Sequence, residues 1–188
     1  MRATAASLLL PLLLAACATP PVQPESATIE YLPLLKPATL GTEHSAQQIL
    51  RAAFADHEAT LRSVVIAHAD HLKMIMLTAT GQRALSLDWD GMDWKVEKAP
   101  MVPDQLDPHA LVADVEFALW PLAALEDAYR AAGWELSEPG GGVRRVRRDG
   151  KLFAEVHYAD ADPWRGRFWL VNFRYGYSLQ IEAQPMPG

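Results

Sequence analysis

The sequence predicts an α+β domain, a curved antiparallel sheet with a helical lid inserted near its middle. Most of the chain beyond residue 40 alternates between apolar and polar residues with a period of two, as strands do. The middle of the chain changes to a helical period, and the period of two then returns. Strands, a helical pair and strands again favour an antiparallel sheet whose helices cover one face.

Short alternating runs predict the strands before the helices, at 61–68, 72–78, 84–89 and 94–98. Ala69-Asp70 joins the first two as a hairpin, and Asp90-Gly91 forms a tight turn because both residues tolerate positive φ. Residues 47–54 are ambiguous. Their alanines and a Ser45-x-x-Gln48 capping box favour a helix, but their position before a hairpin favours a strand, which we predict.

The helical pair follows Asp107-Pro108, an N-cap with proline at the first helical position. Three apolar residues recur every four positions on one face: Leu111, Val115 and Leu119. Pro121 ends this helix and starts a second one, which stops at Gly133. Five further strands are predicted at 134–137, 143–148, 151–159, 167–175 and 177–183, with glycine-containing turns between most of them.

The N-terminus has the layout of a secretory signal. Residues 1–16 run from Met1-Arg2 through a short leucine-rich stretch to Ala15-Ala16, and this run is too short to span a bilayer stably. Leu14-Ala15-Ala16-Cys17 resembles the bacterial lipobox, which implies that Cys17 is diacylated and becomes the N-terminus. Ala18, where a retention aspartate could stand, implies the outer membrane and its periplasmic side. The alternative is a secreted protein cut at an A-x-A site with a stray cysteine.

These observations divide the chain into a signal peptide (1–16), a lipidated cysteine with a proline-rich tether (17–40) and a folded domain (41–188). The net charge is −6, and removal of Arg2 with the signal peptide makes it 16 − 23 = −7. An acidic domain argues against nucleic acid as a partner and against direct attraction to anionic headgroups. Cys17 is the single cysteine, so its acylation leaves no thiol for a disulfide.

Apolar side chains occur on both faces of some predicted strands, as in 74–77 and 168–171. One face of the sheet therefore has a role besides contact with solvent. Methionine and aromatic side chains suit a pocket for acyl chains. The predicted ligand-binding residues are Met74, Met76, Leu85, Leu87, Trp89, Trp120, Phe168 and Leu170. The alternative is that these side chains form an ordinary packed core.

Two loop residues and a basic strand are candidates for contact with a membrane or a partner. Met92 lies beside the Asp90-Gly91 turn, and Trp164 lies in a loop, although a loop tryptophan often tucks against its own domain. Arg144 and Arg145 belong to a run of four arginines in 144–148. This run is either an exposed edge that discourages strand pairing or a site for an anionic headgroup or an acidic periplasmic carrier.

The sequence predicts no enzyme, cofactor or metal site. It contains no G-x-S-x-G, H-E-x-x-H or phosphate-binding glycine loop. His68 and His71 are three residues apart, and such positions on one strand point to opposite faces. A small hydrolase or transferase that uses His157 with a nearby acid is the weakest alternative.

The order of strands and helices resembles the LolA/LolB-like fold, a half-barrel with a helical lid found in periplasmic carriers and outer-membrane receptors of lipoproteins. The chain is most similar there to the outer-membrane lipoprotein family of aryl polyene pigment gene clusters. The motifs cover residues 45–183: Gly81-Gln82-Arg83-Ala84-Leu85, Trp89-Asp90-Gly91, Leu111-Val112-Ala113-Asp114, Leu119-Trp120-Pro121, Glu155-Val156-His157-Tyr158, Pro163-Trp164-Arg165-Gly166, Asn172-Phe173 and Gly176-Tyr177-Ser178-Leu179.

The resemblance implies a lipid-anchored, periplasm-facing protein that binds or helps to localise an acylated hydrophobic ligand, either a lipoprotein or a polyene-lipid conjugate. The rival hypothesis is an assembly or scaffold lipoprotein of a cell-envelope biosynthetic system that binds no lipid.

Overall fold

The computed structural model describes residues 30–55, 57–102 and 106–187. The chain divides into two units, Met1–Glu30 and Tyr31–Gly188, and the second is the one described below. The predicted signal peptide, Cys17 and the tether through residue 29 lie outside the described residues. Within the described ranges, no helix is long and apolar enough to cross a membrane.

The described part of this unit contains ten strands and two α-helices. The first five strands are β1 (His44–Phe54), β2 (His57–Ala67), β3 (Leu72–Thr78), β4 (Arg83–Trp89) and β5 (Trp94–Lys98). The helices are α1 (Pro108–Leu119) and α2 (Leu122–Ala131). The last five strands are β6 (Glu135–Gly140), β7 (Val143–Arg148), β8 (Lys151–Tyr158), β9 (Gly166–Asn172) and β10 (Tyr177–Pro185). A short 3-10 helix, Pro37–Leu40, precedes β1.

All ten strands form one antiparallel sheet in the order β5-β4-β3-β2-β1-β10-β9-β8-β7-β6. Each half is a meander, and the halves join where the first strand pairs with the last, with Leu50 opposite Ile181. β5 and β6 are the two edges of the sheet. The connection between them holds both helices, so it must cross one face.

The predicted antiparallel sheet with two inserted helices is confirmed, while its curvature into a half-barrel and the action of the helices as a lid stay predictions. The ambiguous segment 47–54 is a strand, as predicted, and lies within β1. β9 ends at Asn172 rather than at Tyr175, because Asn172 begins a turn. Its side-chain oxygen accepts from the Tyr175 amide at 3.1 Å, and its carbonyl accepts from the Gly176 amide at 2.9 Å.

The strands bury alternate side chains, so the sheet has an inner and an outer face. In β3, Leu72, Met74 and Met76 are buried while the residues between them are half-buried. We call the face with the buried side chains the inner face. The helices pack on it, because Phe117 of α1 and Leu125 of α2 belong to the same hydrophobic core as these strand residues.

Arg144 of β7 fixes the C-terminal end of α1 to the sheet. Its Nη1 donates to the carbonyls of Phe117 at 2.6 Å and Trp120 at 2.8 Å, and its Nε donates to Glu138 Oε1 at 2.7 Å. Carbonyls at a helix C-terminus carry partial negative charge, so a buried cation is favourable there. The next residue, Arg145, lies on the outer face and pairs with Glu155 at 3.1 Å. The arginine strand thus splits between the two faces.

Replacing Arg144 by alanine should lower the free energy of unfolding by about 3 kcal/mol, because a buried charged network loses its cation. The matched control is Arg145→Ala on the same strand, which removes a partly exposed ion pair and should change stability by less than about 1 kcal/mol. Urea unfolding followed by tryptophan fluorescence measures both. Equal losses in the two variants would contradict this role of Arg144.

Candidate functional site

The segment before β1 covers part of the inner face. Residues 31–40, called the strap below, place Leu32, Leu35 and Leu40 in the hydrophobic core. The sequence assigned these residues to the tether, whereas the compact unit begins at Tyr31. The run Tyr31-Leu32-Pro33-Leu34-Leu35 is short and interrupted by proline, so it has neither a helical nor a strand period to predict its burial.

Three side chains hold the backbone of the strap. The Leu35 amide donates to Glu116 Oε2 at 2.9 Å, and Trp89 Nε1 donates to the Leu35 carbonyl at 3.2 Å. His109 Nε2 donates to the Leu32 carbonyl at 2.9 Å. The strap is not part of the sheet ladder, so its buried amides and carbonyls need such partners. These three hydrogen bonds are called the latch below.

Aromatic rings line the start of the strap. The ring of Tyr31 stacks on His109 with centroids 4.3 Å apart, and Trp94 lies 5.8 Å from His109. Trp89 lies 4.5 Å from Trp94. These four rings form a column that extends outward from the core beside the latch. The strap is therefore held by apolar, polar and aromatic contacts.

The latch contains a carboxyl group in an apolar environment. Burial raises the pKa of Glu116 to about 8, and the hydrogen bond from the Leu35 amide opposes that rise. Oε1 of Glu116 has no hydrogen-bond partner among the described residues. A neutral carboxylic acid suits this position, since an ionised one would lose its hydration without a compensating cation.

A second buried acid lies on α1 and faces the other half of the sheet. Burial raises the pKa of Asp114 to about 7, and hydrogen bonds from Tyr177 and Asn172 oppose the rise. The Asn172 amide donates to Asp114 Oδ1 at 3.2 Å, and the Tyr177 hydroxyl donates to Oδ2. Polar side chains therefore connect α1 both to the strap and to β9 and β10.

The eight predicted ligand-binding residues all lie in the core, each at most 8 % exposed: Met74, Met76, Leu85, Leu87, Trp89, Trp120, Phe168 and Leu170. They come from β3, β4, β9 and the end of α1, so the fold brings them together as a group. In the described residues this interior is filled, and the strap leucines supply part of the filling. Binding of a ligand there stays a prediction and requires that something move.

A groove of about 340 Å³ lies on the sheet beneath the outer side chains of β1, β2, β3 and β10. Its apolar floor includes Ile49, Val64 and Leu77, and Arg62 and Glu182 are charged residues of its lining. The groove is open to solvent and is the alternative place for an apolar ligand.

The four predicted contact residues have different surroundings. Met92 is 76 % exposed beside its turn, as a contact residue needs to be. Trp164 is only 5 % exposed and stacks on His44 at 4.7 Å, so the loop turns it inward. Arg144 is buried against α1, and Arg145 is engaged by Glu155. Contact with a membrane or a partner stays a prediction, and Met92 is the residue best placed for it.

Sequence reasoning missed the strap, Asp114 and Glu116. The apolar face predicted for α1 also differs from the buried face in the structure. Of its three residues, Leu119 is buried, but Leu111 and Val115 are only half-buried. Most residues from Val112 to Leu119 are buried, because the helix is covered by the sheet below and by the strap beside it. A signal was present: a helix that is largely apolar on all sides is typical of a buried helix.

His157, the residue of the weakest alternative, lies on β8 beside an acid. Its Nε2 donates to Glu155 Oε1 at 2.8 Å. Burial alone would raise the pKa of Glu155, but hydrogen bonds from His157 and Arg145 and their nearby charges lower it. The group is a polar network on the outer face of the sheet.

The fold and the strap define a class of protein: an α+β domain with one antiparallel sheet, two crossing helices and an N-terminal segment packed into its core. The chain belongs to the family described as "Protein of unknown function (DUF3261)", which matches residues 45–185. No curated protein matches the sequence significantly. One similar solved structure is a domain from Vibrio parahaemolyticus described as an outer membrane lipoprotein-sorting protein domain. It has 10 % sequence identity and a TM-score of 0.38, over 78 % of this chain and 86 % of that one.

The two buried acids make the stability of the fold depend on pH. Their folded pKa values, about 7 for Asp114 and about 8 for Glu116, lie above the ordinary values of 3.8 and 4.5. The folded state therefore binds more protons than the unfolded state between those limits, and stability should fall as pH rises through the folded values. We expect a loss on the order of a few kcal/mol between pH 5 and pH 9.

Urea unfolding across this pH range measures the effect, and Glu116→Gln isolates one acid. Glutamine keeps an oxygen for the Leu35 amide but does not titrate, so the variant should show a shallower decline than the parent protein. General charge repulsion in an acidic chain affects both proteins alike. A decline of the same slope in both would contradict the role of Glu116.

Proposed function

We propose that this is a lipid-anchored protein of the outer membrane, facing the periplasm, that binds or helps to localise an acylated hydrophobic ligand. A lipoprotein or a polyene-lipid conjugate is the ligand class that the sequence motifs favour. The lipobox ending at Cys17 supports the anchor. The proposal includes no bond-making step.

The observation that carries the proposal is the strap. It is the C-terminal part of the predicted tether and places Leu32 and Leu35 in the core, beside Trp89 of the predicted ligand-binding group. Its attachment uses side-chain hydrogen bonds rather than a strand ladder, so it can leave without unpairing the sheet. The space that two leucines vacate is apolar and would be continuous with the core.

The energies permit such an exchange. Release of residues 31–35, the first half of the strap, uncovers Leu32 and Leu35, whose full burial is worth about 3–6 kcal/mol. Each buried methylene of an acyl chain is worth about 0.8 kcal/mol, so about four to eight methylenes offset the loss of both leucines. An ordinary fatty acyl chain is longer than that. Release of the strap also breaks the three hydrogen bonds of the latch, which the ligand does not replace. The strength of these hydrogen bonds therefore sets how readily the strap leaves the core.

Weakening the latch should therefore increase the affinity for an acyl chain. Trp89→Phe removes the donor to the Leu35 carbonyl and keeps most of the ring. A net hydrogen bond of about 0.5–1.5 kcal/mol corresponds to a gain of roughly two- to tenfold in affinity. Titration with a dansyl-labelled fatty acid, followed by displacement with palmitate, measures it.

The matched control is Trp169→Phe, the same change on the outer face, which should leave affinity unchanged. A further variant, Ile49→Glu, places a charge in the outer groove. If Ile49→Glu abolishes binding while Trp89→Phe has no effect, the ligand binds in the outer groove and the strap is not involved. Absence of binding in every variant would reject an acyl-binding role.

The anchor has its own test. Cys17→Ser should leave the chain without the lipid, so labelling with radioactive palmitate should disappear and the protein should no longer fractionate with outer membranes. Ser45→Ala, a change outside the lipobox, serves as the control and should label normally. Continued labelling of Cys17→Ser would contradict lipidation at this residue.

The filled interior favours a second candidate, a scaffold lipoprotein of a cell-envelope biosynthetic system that binds no lipid. Here the strap would be a permanent part of the core. A photo-crosslinking residue at Met92, the exposed predicted contact, should then capture one stable envelope partner, and mass spectrometry of the purified protein should find no lipid. Recovery of a stoichiometric acyl lipid would reject this candidate.

A further inference from the structure

The hairpin between β2 and β3 brings two imidazole rings together. The ladder pairs Ala67 with Leu72, and the next step of the register places His68 opposite His71. The His68 amide donates to the His71 carbonyl at 2.9 Å, which closes a turn of two residues. The ring centroids are 5.1 Å apart with a tilt of 34°.

This arrangement differs from the sequence argument. Residues three apart on one strand point to opposite faces, but His68 and His71 flank a turn, the first directly after β2 and the second directly before β3. Residues directly opposite each other in an antiparallel pair lie on the same face. Both therefore lie on the outer face, away from the helices, because Ala67 and Leu72 point inward.

A carboxylate completes the group. Asp70, in the turn, has Oδ1 at 2.8 Å from His71 Nδ1. One ligand atom from each of His68, Asp70 and His71 can be chosen so that all three lie within 4.8 Å of one another. The side chains are 83 % exposed for Asp70 and 28 % for His71, so both can turn toward a shared centre.

We propose that His68, Asp70 and His71 form a binding site for a late first-row divalent metal ion, of which zinc is the type we would test first. Two imidazoles and one carboxylate are a ligand set that zinc accepts, and imidazole also suits copper and nickel. Bonds of about 2.0–2.2 Å in tetrahedral geometry place ligand atoms about 3.4 Å apart, so the side chains close by little more than 1 Å. Three protein ligands leave one position open to water or to a ligand from another molecule.

Lys73, a cation on the same face, is engaged by a carboxylate. Lys73 follows His71 by two residues, and its Nζ pairs with Asp88 Oδ2 at 3.2 Å.

Calorimetric titration of the full chain with zinc chloride at pH 7.5 tests the proposal. The chain carries Cys17→Ser in detergent, so that its single thiol cannot bind zinc. We expect one ion per chain. His68→Ala and His71→Ala should each weaken binding at least tenfold, and Asp70→Ala should weaken it measurably. The control is His57→Ala, an exposed histidine at the start of β2, which should bind as the parent does.

Spectroscopy with Cu²⁺ gives a second readout. The electron paramagnetic resonance spectrum should show coupling to two nitrogens, which His68→Ala reduces. The circular dichroism of each variant checks that the fold is intact, as expected for changes in an exposed turn. Zinc affinity unchanged in the double variant of His68 and His71, or no binding at all by the parent, would overturn the proposal. Neither result bears on acyl-chain binding at the strap.

Discussion

The inner face of the sheet must be covered, and the rest of the structure follows from how the chain does this. Ten strands at about 4.8 Å spacing make a sheet about 43 Å wide along its surface. The helices, 12 and 10 residues long, are about 18 and 15 Å in length. Because β5 and β6 are opposite edges, the helices cross the face between them but are too short to cover it alone. The strap covers a part that they leave, beside β4 and along α1 from His109 to Trp120.

Coverage by a segment outside the sheet has a polar consequence. The buried backbone of the strap has no ladder to pair with, so Glu116, Trp89 and His109 supply its hydrogen bonds. The other end of α1 has the same requirement, and Arg144 meets it by binding the carbonyls of Phe117 and Trp120. Thus α1 supplies two of the side chains that hold the strap, and β7 supplies the side chain that holds the C-terminal end of α1. An acid near the strap and a cation near the helix C-terminus each suit the local electrostatics.

Turn chemistry decides what the outer face presents. The two-residue turn Ala69-Asp70 places His68 and His71 opposite each other, and the Asp90-Gly91 turn leaves Met92 in solvent. In contrast, Trp164 turns back onto His44. The composition of these three loops does not predict which side chain is exposed and which is buried, because each loop combines a large side chain with aspartate and glycine or alanine. The difference lies in whether a neighbouring ring or core surface is within reach.

The sequence by itself determined the secondary structure and the class of fold. Alternation within each strand, proline at the start of α1 and glycine in most turns are local signals, so ten strands and two helices could be predicted from them. The lipobox at Cys17 is equally local. Only the tertiary structure decided that Leu32 and Leu35 are core residues, that Asp114 and Glu116 are buried acids, and that the eight apolar candidates lie in a filled interior. These properties depend on contacts between residues that are far apart in the chain. Leu35 and Glu116, for example, are 81 residues apart, and no local sequence pattern identifies a partner at that distance.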